Sequence, residues 1–207
     1  MRYRHQRAAE RRKIKLRVSA LLREHRQESP YGRWTEAWKH WLRHEAELGR
    51  QSRWVIERYL VQFEATQQEL KVVERRLAEL TAEDPMVDRL TEVNGIGLVT
   101  AVTIRAEIGR FDRFRTGKQL ARFCGLSPRN ASSGQRQADA GMIKAGNPEL
   151  RRILIEAAHQ LSWREPRWSA LSQRLRERGK PRNVVVAAVA NRFLRWLYHQ
   201  MQPQTAV

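Results

Sequence analysis

The sequence predicts an all-α protein, with long helices that include a coiled-coil segment, followed by a small helical domain that contains a helix-hairpin-helix. Three observations favour this class. Apolar residues recur at spacings of three and four, helix-start signals such as Asn147-Pro148 precede apolar faces, and no segment has a convincing strand pattern. We expect helices and a coiled coil over residues 1–84, the small domain over 85–200, and a disordered tail over 201–207.

The composition indicates a polyanionic partner. The 207 residues include 40 Lys and Arg against 22 Asp and Glu, a net charge of +18. Such a surplus attracts nucleic acid, although a merely basic, solvated surface is the simpler alternative. The single cysteine, Cys124, excludes an internal disulfide, and we interpret it as a small buried side chain. The longest uncharged apolar run, Val184 to Ala190, is too short to span a bilayer, so we expect a cytoplasmic protein without a membrane partner.

The first predicted helix carries charge of mainly one sign. Ile14, Val18 and Leu22 fall on one face at helical spacing, and arginine and lysine crowd the other faces. Residues 1–28 contain ten basic and three acidic groups. This excess suits a row of phosphates better than water alone.

A second predicted helix contains an aromatic stripe formed by Trp34, Trp38 and Trp41. A stripe at this spacing indicates core packing more often than base stacking. His40 and His44 stand four residues apart, but no third ligand accompanies them, so we predict no metal site there.

Residues 53–80 have the heptad-like spacing of a coiled coil. Ile56, Leu60 and Phe63 begin an apolar seam in which intervals of four and three alternate, and the charges of the segment cancel. Such a helix packs on another helix rather than on DNA. The partner helix can belong to a second copy, giving a homo-oligomer, or to the first helices of the same chain, and the sequence does not distinguish the two.

The stretch LTEVNGIGLVTAVTIRAEIG, Leu90 to Gly109, has the pattern of a helix-hairpin-helix. Gly95 and Gly97 permit a tight turn. The backbone amides at the start of the next helix have no carbonyl partners within the helix and can bind an anion. In such units the anion is a nucleic-acid phosphate, which is bound without regard to sequence. A plain glycine turn is the alternative, but the net charge favours the phosphate contact.

A polar stretch, SPRNASSGQRQADAGMIKAGNPELRR over residues 127–152, lacks apolar periodicity although helical patterns flank it. A segment of this kind is either a linker or a functional loop. Lys144, Arg151 and Arg152 lie beside the helix start at Asn147, which makes this start a second candidate phosphate site.

The same loop contains candidate nucleophiles. Ser132-Ser133-Gly134 places two hydroxyls near these cations, where a serine could attack a phosphodiester. Serines beside glycine are usually turn residues, and no activating base is obvious. No pair or trio of carboxylates has a metal-binding arrangement, so we expect no cofactor in this chain.

Two further helices complete the small domain. Thr116 and Gln119 form a capping box that starts a short helix ending before Gly125. After a basic stretch over residues 174–182, a last helix is predicted from Val184 to Tyr198.

Three motifs within these segments resemble one known family. They are NGIGLVTAVTIRAEIGRFDRF, QLARFCGLSPRNASSG and GMIKAGNPELRRILIEAA, in this order within residues 88–200. The family comprises the bacterial insertion-sequence transposases of the IS-one-ten type, which are bridge-RNA-guided recombinases. The upstream stretches ALLREHRQ and GRWTEAWKHWL are similar to the family's middle region, so the resemblance covers nearly the whole chain.

The resemblance implies a site and a reaction. It implies that Ser133 is the nucleophile of DNA strand exchange, with Ser132 as the runner-up, because Ser133 follows the Gly-Leu-x-Pro-Arg motif. It also implies that the residues around the loop bind nucleic acid. With the hairpin glycines, the candidate nucleic-acid contacts are Gly95, Gly97, Arg129, Lys144, Asn147, Arg151 and Arg152.

The resemblance further implies that this chain is the C-terminal portion of such an enzyme. Family members carry an N-terminal RNase H-like domain whose Asp-Glu-Asp-Asp set binds magnesium, and the chain resembles only the regions C-terminal to that domain. We therefore expect a truncated, split or decayed transposase that is not active alone, with DNA, structured guide RNA and further copies of itself as partners. The alternatives are a catalytically silent nucleic-acid-binding and multimerising module, and a coiled-coil assembly protein whose charge is incidental.

Overall fold

The computed structural model describes residues 1–130, 139–142 and 145–202, and this part of the chain is almost wholly helical. It contains nine α-helices, one turn of 3-10 helix (Phe111–Arg113) and two short strands. The all-α prediction is confirmed. The helices are α1 (Arg2–Glu24), α2 (Glu36–His44), α3 (Arg50–Leu80), α4 (Pro85–Thr91), α5 (Leu98–Ile108), α6 (Gly117–Phe123), α7 (Pro148–Arg164), α8 (Pro166–Glu177) and α9 (Arg182–Met201); the strands are β1 (Pro128–Asn130) and β2 (Asp139–Met142).

The chain divides into two compact units, Met1–Glu79 and Leu80–Val207. In the first unit, α1 and α3 lie side by side and antiparallel. Near the start of α1, Arg4 forms a 2.6 Å ion pair with Glu74, whereas just after its end the His25 ring lies 2.7 Å from the hydroxyl of Ser52. The long helix therefore has a partner helix within its own chain.

The predicted apolar seam of α3 is buried inside this unit. Ile56, Leu60 and Phe63 are each at most 3% exposed, and Val18 and Leu22 of α1 belong to the same core as Ile56 and Leu60. Of the two partners that the sequence left open for this seam, the structure shows the one within the chain.

The tryptophans pack in the core of the first unit, as predicted. Trp38 is 1% exposed and Trp41 is 6% exposed. The prediction that Trp34 lies in the helix is wrong, because Thr35 caps α2 by accepting the amide of Trp38. Trp34 has a positive φ of 70° and packs from outside the helix, with its ring 4.8 Å from that of Trp38.

In the second unit, α7 packs against α5, α8 and α9, and α9 also packs against α6 and α8. Gly117 allows the approach of α6 to α9, since a Cβ there would lie 3.2 Å from the Cα of Arg195. The apolar face that follows the predicted helix start at Asn147 is buried in six positions. They are Leu150, Ile153, Leu154, Ala157, Ala158 and Leu161.

Two features of the second unit were not predicted. β1 pairs antiparallel with β2, with Pro128 opposite Met142. α8 is a separate helix, since Glu165 leaves the helical conformation and caps α8 by accepting the amide of Trp168. α9 extends to Met201, one residue into the predicted tail.

None of the helices in the described ranges is both long and apolar enough to cross a membrane.

Candidate nucleic-acid interface

The predicted hairpin lies between α4 and α5. The amide of Ile96 donates to the carbonyl of Val93 (3.0 Å), which closes the turn. Gly95 has a φ of +85°, and a Cβ at this position would lie 2.8 Å from Cδ2 of Leu161 in α7. The backbone conformation therefore favours glycine at position 95, and a larger residue there would also displace the Leu161 side chain.

The first turn of α5 has no side-chain cap. Its N-cap is Gly97, which has an ordinary φ of −86° and open space beside its Cα. By contrast, side chains cap α2, α4, α6, α7 and α8. The first amides of a helix lack carbonyl partners and carry the positive end of the helix dipole, so the start of α5 suits an anion. The turn itself depends on Gly95 and not on Gly97.

A groove of about 530 Å³ runs beside the hairpin. Asn94, Gly95 and Gly97 line one side, and Gln160 and Arg164 from α7 line the other. Arg164 is exposed and brings a cation to the hairpin. The sequence does not indicate this role for Arg164, because only the packing of α7 on the hairpin places the residue there.

Asp84 fixes the hairpin from the start of α4. Its carboxylate accepts the amide of Met86 (2.9 Å) and pairs with Arg105 of α5 (2.8 Å). Burial acts to raise the pKa of Asp84, but the hydrogen bonds from Arg105, Met86 and Val87 outweigh it and hold the pKa below its ordinary value. The charged carboxylate thus joins the two helices of the hairpin.

Two glycines hold the base of the predicted loop. Gly125 follows α6 with a φ of +66°, and Gly146 precedes α7 with a φ of +118°. A Cβ at Gly146 would lie 2.7 Å from the amide nitrogen of Gly125 and 2.9 Å from the carbonyl oxygen of Phe123. The amide of Asn147 donates to this carbonyl (3.0 Å). These contacts join the two ends of the loop, which favours a functional loop over a linker.

The start of α7 is capped by Asn147. Its side-chain oxygen accepts the amides of Glu149 (2.9 Å) and Leu150 (3.1 Å), and its side-chain nitrogen donates to Glu107 of α5. The predicted helix start is confirmed. The same contacts give the Asn147 side chain a structural role at the position where the sequence suggested a phosphate contact.

The two candidate arginines of α7 also have partners within the chain. The guanidinium of Arg151 lies over Gly125, where a Cβ would approach it to 2.6 Å. Arg152 is exposed and pairs with Glu149 (2.9 Å) and Glu156 (3.3 Å) along the helix. Arg151 therefore lies at the loop base, and Arg152 lies on the outer surface of α7.

The remaining candidates belong to the loop itself. Arg129 lies in β1. The predicted nucleophile Ser133, the runner-up Ser132 and the candidate contact Lys144 lie outside the described residues. The loop base is further held from α9, where the side chain of Asn191 donates to the carbonyl of Leu126 (3.0 Å).

The structure places the two candidate phosphate sites at opposite ends of one helix pair. Gly95, just before α5, lies against Leu161 in the last turn of α7, whereas Glu107 in the last turn of α5 is bonded to Asn147 at the start of α7. α5 and α7 are therefore antiparallel, and the sites are separated by the length of α5, roughly 15 Å at 1.5 Å per residue. One phosphate cannot occupy both.

The described ranges contain neither a cluster of metal-ligating side chains nor a reactive thiol. Within them, no group of three or more His, Cys, Asp or Glu side chains is placed to hold a metal ion. Cys124 is buried, as predicted. Burial raises the pKa of its thiol to about 12, so the thiolate, which is the reactive form, is disfavoured.

Comparison with known families identifies the region that contains these features. Residues 87–173 match the Transposase IS116/IS110/IS902 family. This segment includes the hairpin, the loop, α7 and most of α8. Over residues 87–173, the chain carries a domain of this transposase family. The resemblance drawn from the three motifs is thereby confirmed.

Curated relatives agree with this assignment of the transposase domain. A probable family 20 transposase of Pseudomonas aeruginosa is 34% identical over 152 residues, which cover 66% of this chain and 44% of the relative. The transposase for insertion sequence element IS1111A of Coxiella burnetii is 34% identical over 88 residues, 42% of this chain and 24% of the relative. The pilin gene-inverting protein of Moraxella bovis is 30% identical over 109 residues, 51% of this chain and 33% of the relative. The chain thus spans less than half the length of these relatives.

Proposed function

We propose that this chain acts in DNA transposition, with a hairpin that binds the DNA backbone and a loop that presents Ser133 to a phosphodiester. The observation that carries the proposal is the transposase match over residues 87–173, because this segment contains both the hairpin and Ser133. The net charge of +18 supports a DNA partner. The uncapped start of α5 supports a backbone contact at the hairpin.

In the proposed step, the hydroxyl oxygen of Ser133 attacks a DNA phosphorus. A bond forms between this oxygen and the phosphorus, the bond from the phosphorus to one deoxyribose oxygen breaks, and the serine proton ends on the released deoxyribose hydroxyl. Attack by the hydroxyl of a second strand on the phosphoserine completes the exchange without an external energy source. Arg129, Lys144 and Arg151 are the candidate cations for the added negative charge.

The test is to trap the covalent phosphoserine on a nicked DNA substrate. The portion of the Pseudomonas relative that the alignment does not cover is supplied in trans. We expect an adduct with the parent chain and with Ser132→Ala, which is the matched control, and none with Ser133→Ala. Equal trapping by the parent and Ser133→Ala overturns the assignment of the nucleophile, and loss of the adduct only in Ser132→Ala transfers it to the runner-up.

The alternative function is a nucleic-acid-binding and multimerising module without chemistry. The separation of the hairpin from the loop base favours it, because binding at the hairpin does not require the serine. In this case no adduct forms, affinity for DNA falls steeply with salt, and Ser133→Ala leaves that affinity unchanged. Structured guide RNA is a further proposed ligand, and the same salt titration with an RNA hairpin tests it.

Self-association through α3 is also part of the proposal. α3 carries a second apolar stripe that α1 and α2 leave exposed, with Trp54 64%, Val61 47% and Val72 40% exposed. These residues recur at intervals of seven and eleven, which is one face of a helix. Sedimentation velocity should show that Val61→Glu with Val72→Glu lowers the assembly state. An unchanged assembly state would remove α3 as the interface.

A further inference from the structure

A cationic groove lies between α8 and α9, away from the loop and the hairpin turn. It has a volume of about 490 Å³. Its lining includes four arginines, Arg167 and Arg174 from α8 and Arg192 and Arg195 from α9, together with Trp196. All four arginines are exposed residues. The sequence shows Arg174 only as part of a basic stretch and does not indicate the groove, because α8, which forms one wall, was not predicted as a helix.

The charge of this groove is not balanced by neighbouring acids. Residues 166–202 contain eight Arg and Lys against a single acidic residue, Glu177. The ion pairs found in the second unit use other arginines, namely Arg105, Arg110 and Arg152. A groove that concentrates cations in this way attracts a polyanion.

The aromatic rings of the groove orient a guanidinium rather than offer a surface for a base. The ring of Trp196 stacks on Phe193, with centroids 5.9 Å apart and an interplanar angle of 29°. The guanidinium of Arg167 lies 5.6 Å from the Trp196 ring and 4.8 Å from the Trp168 ring. Because Trp196 already has these neighbours, the groove presents cations, which is the chemistry of a phosphate contact.

The cations form two short rows along the helices. Arg192 and Arg195 are three residues apart, so they are separated by roughly 5 Å along α9. Arg167 and Arg174 are seven residues apart, roughly 10 Å along α8. Each strand of duplex DNA carries one phosphate per about 3.4 Å of helix axis, so these rows match a few consecutive phosphates.

The groove is continuous with the hairpin. A further groove between α4, α8 and α9 shares Arg167 and Trp196 with the arginine groove. It shares Asn94 and Glu165 with the groove beside the hairpin. The three connected grooves form one trough. Its middle part is lined by Arg89 and Arg167 and also by Glu92 and Glu165, so the charges there balance and the surplus of cations lies in the arginine groove.

We propose that the α8–α9 groove is a second binding site for the backbone of the same DNA duplex that the hairpin contacts. The inference rests on the proposed function, since it takes DNA at the hairpin as given. The duplex lies along the trough and meets cations at Arg192 and Arg195, while its contact at the other end is with the uncapped amides of α5. Neither contact reads base sequence.

The test measures binding of the full chain to a mixed-sequence duplex by fluorescence anisotropy across a salt series. Arg192→Gln with Arg195→Gln should weaken binding about tenfold and make the salt slope shallower by about 1.8, or 0.9 for each lost phosphate contact. Arg192→Lys with Arg195→Lys keeps the charge and should retain most of the affinity. The matched control is Arg76→Gln with Arg110→Gln, which removes two charges from surface ion pairs with Glu79 and Asp112.

The outcomes separate this inference from the proposed function. If the groove variant binds duplex DNA like the control while the parent chain binds well, the groove is not a DNA site and the proposed function stands. If the parent chain shows no salt-dependent binding to DNA, both fail. If the groove variant loses affinity only for a structured RNA of the same length, the assignment to DNA is overturned.

Discussion

The two ends of the antiparallel α5–α7 pair carry similar features and use them differently. Each end has a helix start and a glycine with a positive φ, Gly95 at the hairpin and Gly146 at the loop base. At the hairpin end the start of α5 has no side-chain cap, whereas at the loop end Asn147 already accepts two amides of α7. Of the two helix starts in this pair, only that of α5 therefore has first amides without a side-chain partner.

This difference indicates that the two ends of the α5–α7 pair have different roles. At the hairpin end no side chain caps the first amides of α5, whereas at the loop end Gly146 and Asn147 join the described ends of the loop. The separation of roughly 15 Å, at 1.5 Å per residue of α5, corresponds to about four steps of duplex DNA at 3.4 Å each. Groups bound at the two ends of the pair therefore lie several base pairs apart along a duplex.

The largest effect is expected at the loop base. Gly146→Ala should lower the free energy of unfolding by about 3 kcal/mol, because its φ is open almost only to glycine and its Cβ would meet the Gly125 backbone. Urea unfolding followed by circular dichroism measures this change. Gly179→Ala is the control, since Gly179 follows the end of α8 with a positive φ of 70° but has open space around it. It should cost only about 1 kcal/mol, and equal losses at the two positions would show that the Gly125 contact is unimportant.

The local features of both ends were predictable from the sequence. Thr116 and Asn147 cap their helices as predicted, since a cap depends on a side chain and on amides two or three residues away. The preference for glycine at Gly95 was visible for a similar reason, because a tight turn is local. The all-α class followed from the spacing of apolar residues, which the burial of α3 and α7 confirms.

The relation between the two ends was not predictable from the sequence. The antiparallel packing of α5 on α7 depends on contacts such as that of Glu107 with Asn147, which are 40 residues apart. The sequence therefore predicted a candidate phosphate site on each side of the loop but not the distance between them. α8 was missed because its cap is Glu165, a residue type that is not among the preferred caps. The arginine groove was missed with it.

The second effect concerns the hairpin end, where stability and binding should change in opposite directions. Gly97→Asp adds an N-cap and a negative charge at the start of α5, in open space. It should raise the free energy of unfolding by about 0.5–1 kcal/mol. Affinity for duplex DNA should fall about tenfold, since the carboxylate occupies the amides and repels phosphate. Thermal unfolding and anisotropy measure the two quantities, and unchanged DNA affinity in the stabilised variant would show that the start of α5 is not a phosphate site.

A smaller effect is expected from Asp84, which fixes the hairpin end. The pKa of Asp84 is lowered in the folded chain, so its contribution is fully present above the unfolded value of about 3.9 and is lost as the pH falls through the folded pKa. Asp84→Asn keeps a capping side chain but removes the charge. At pH 7 it should cost about 0.5–1 kcal/mol, discounted for partial exposure of the Arg105 pair. Urea unfolding of parent and variant should converge in acid, and a constant difference at every pH would remove the ion pair as the cause.

The smallest effect on stability is expected from Arg152 at the loop end. Its pairs with Glu149 and Glu156 are exposed, and exposed pairs contribute little, so Arg152→Ala should change the free energy of unfolding by less than about 0.5 kcal/mol. The salt slope of DNA binding shows whether Arg152 exchanges these carboxylates for a phosphate. A slope that becomes shallower by about 0.9 would make Arg152 a phosphate contact and would extend the DNA path to the loop end. An unchanged slope would confine the backbone contact to the hairpin end, because the other helix-start groups of α7 already have partners within the chain.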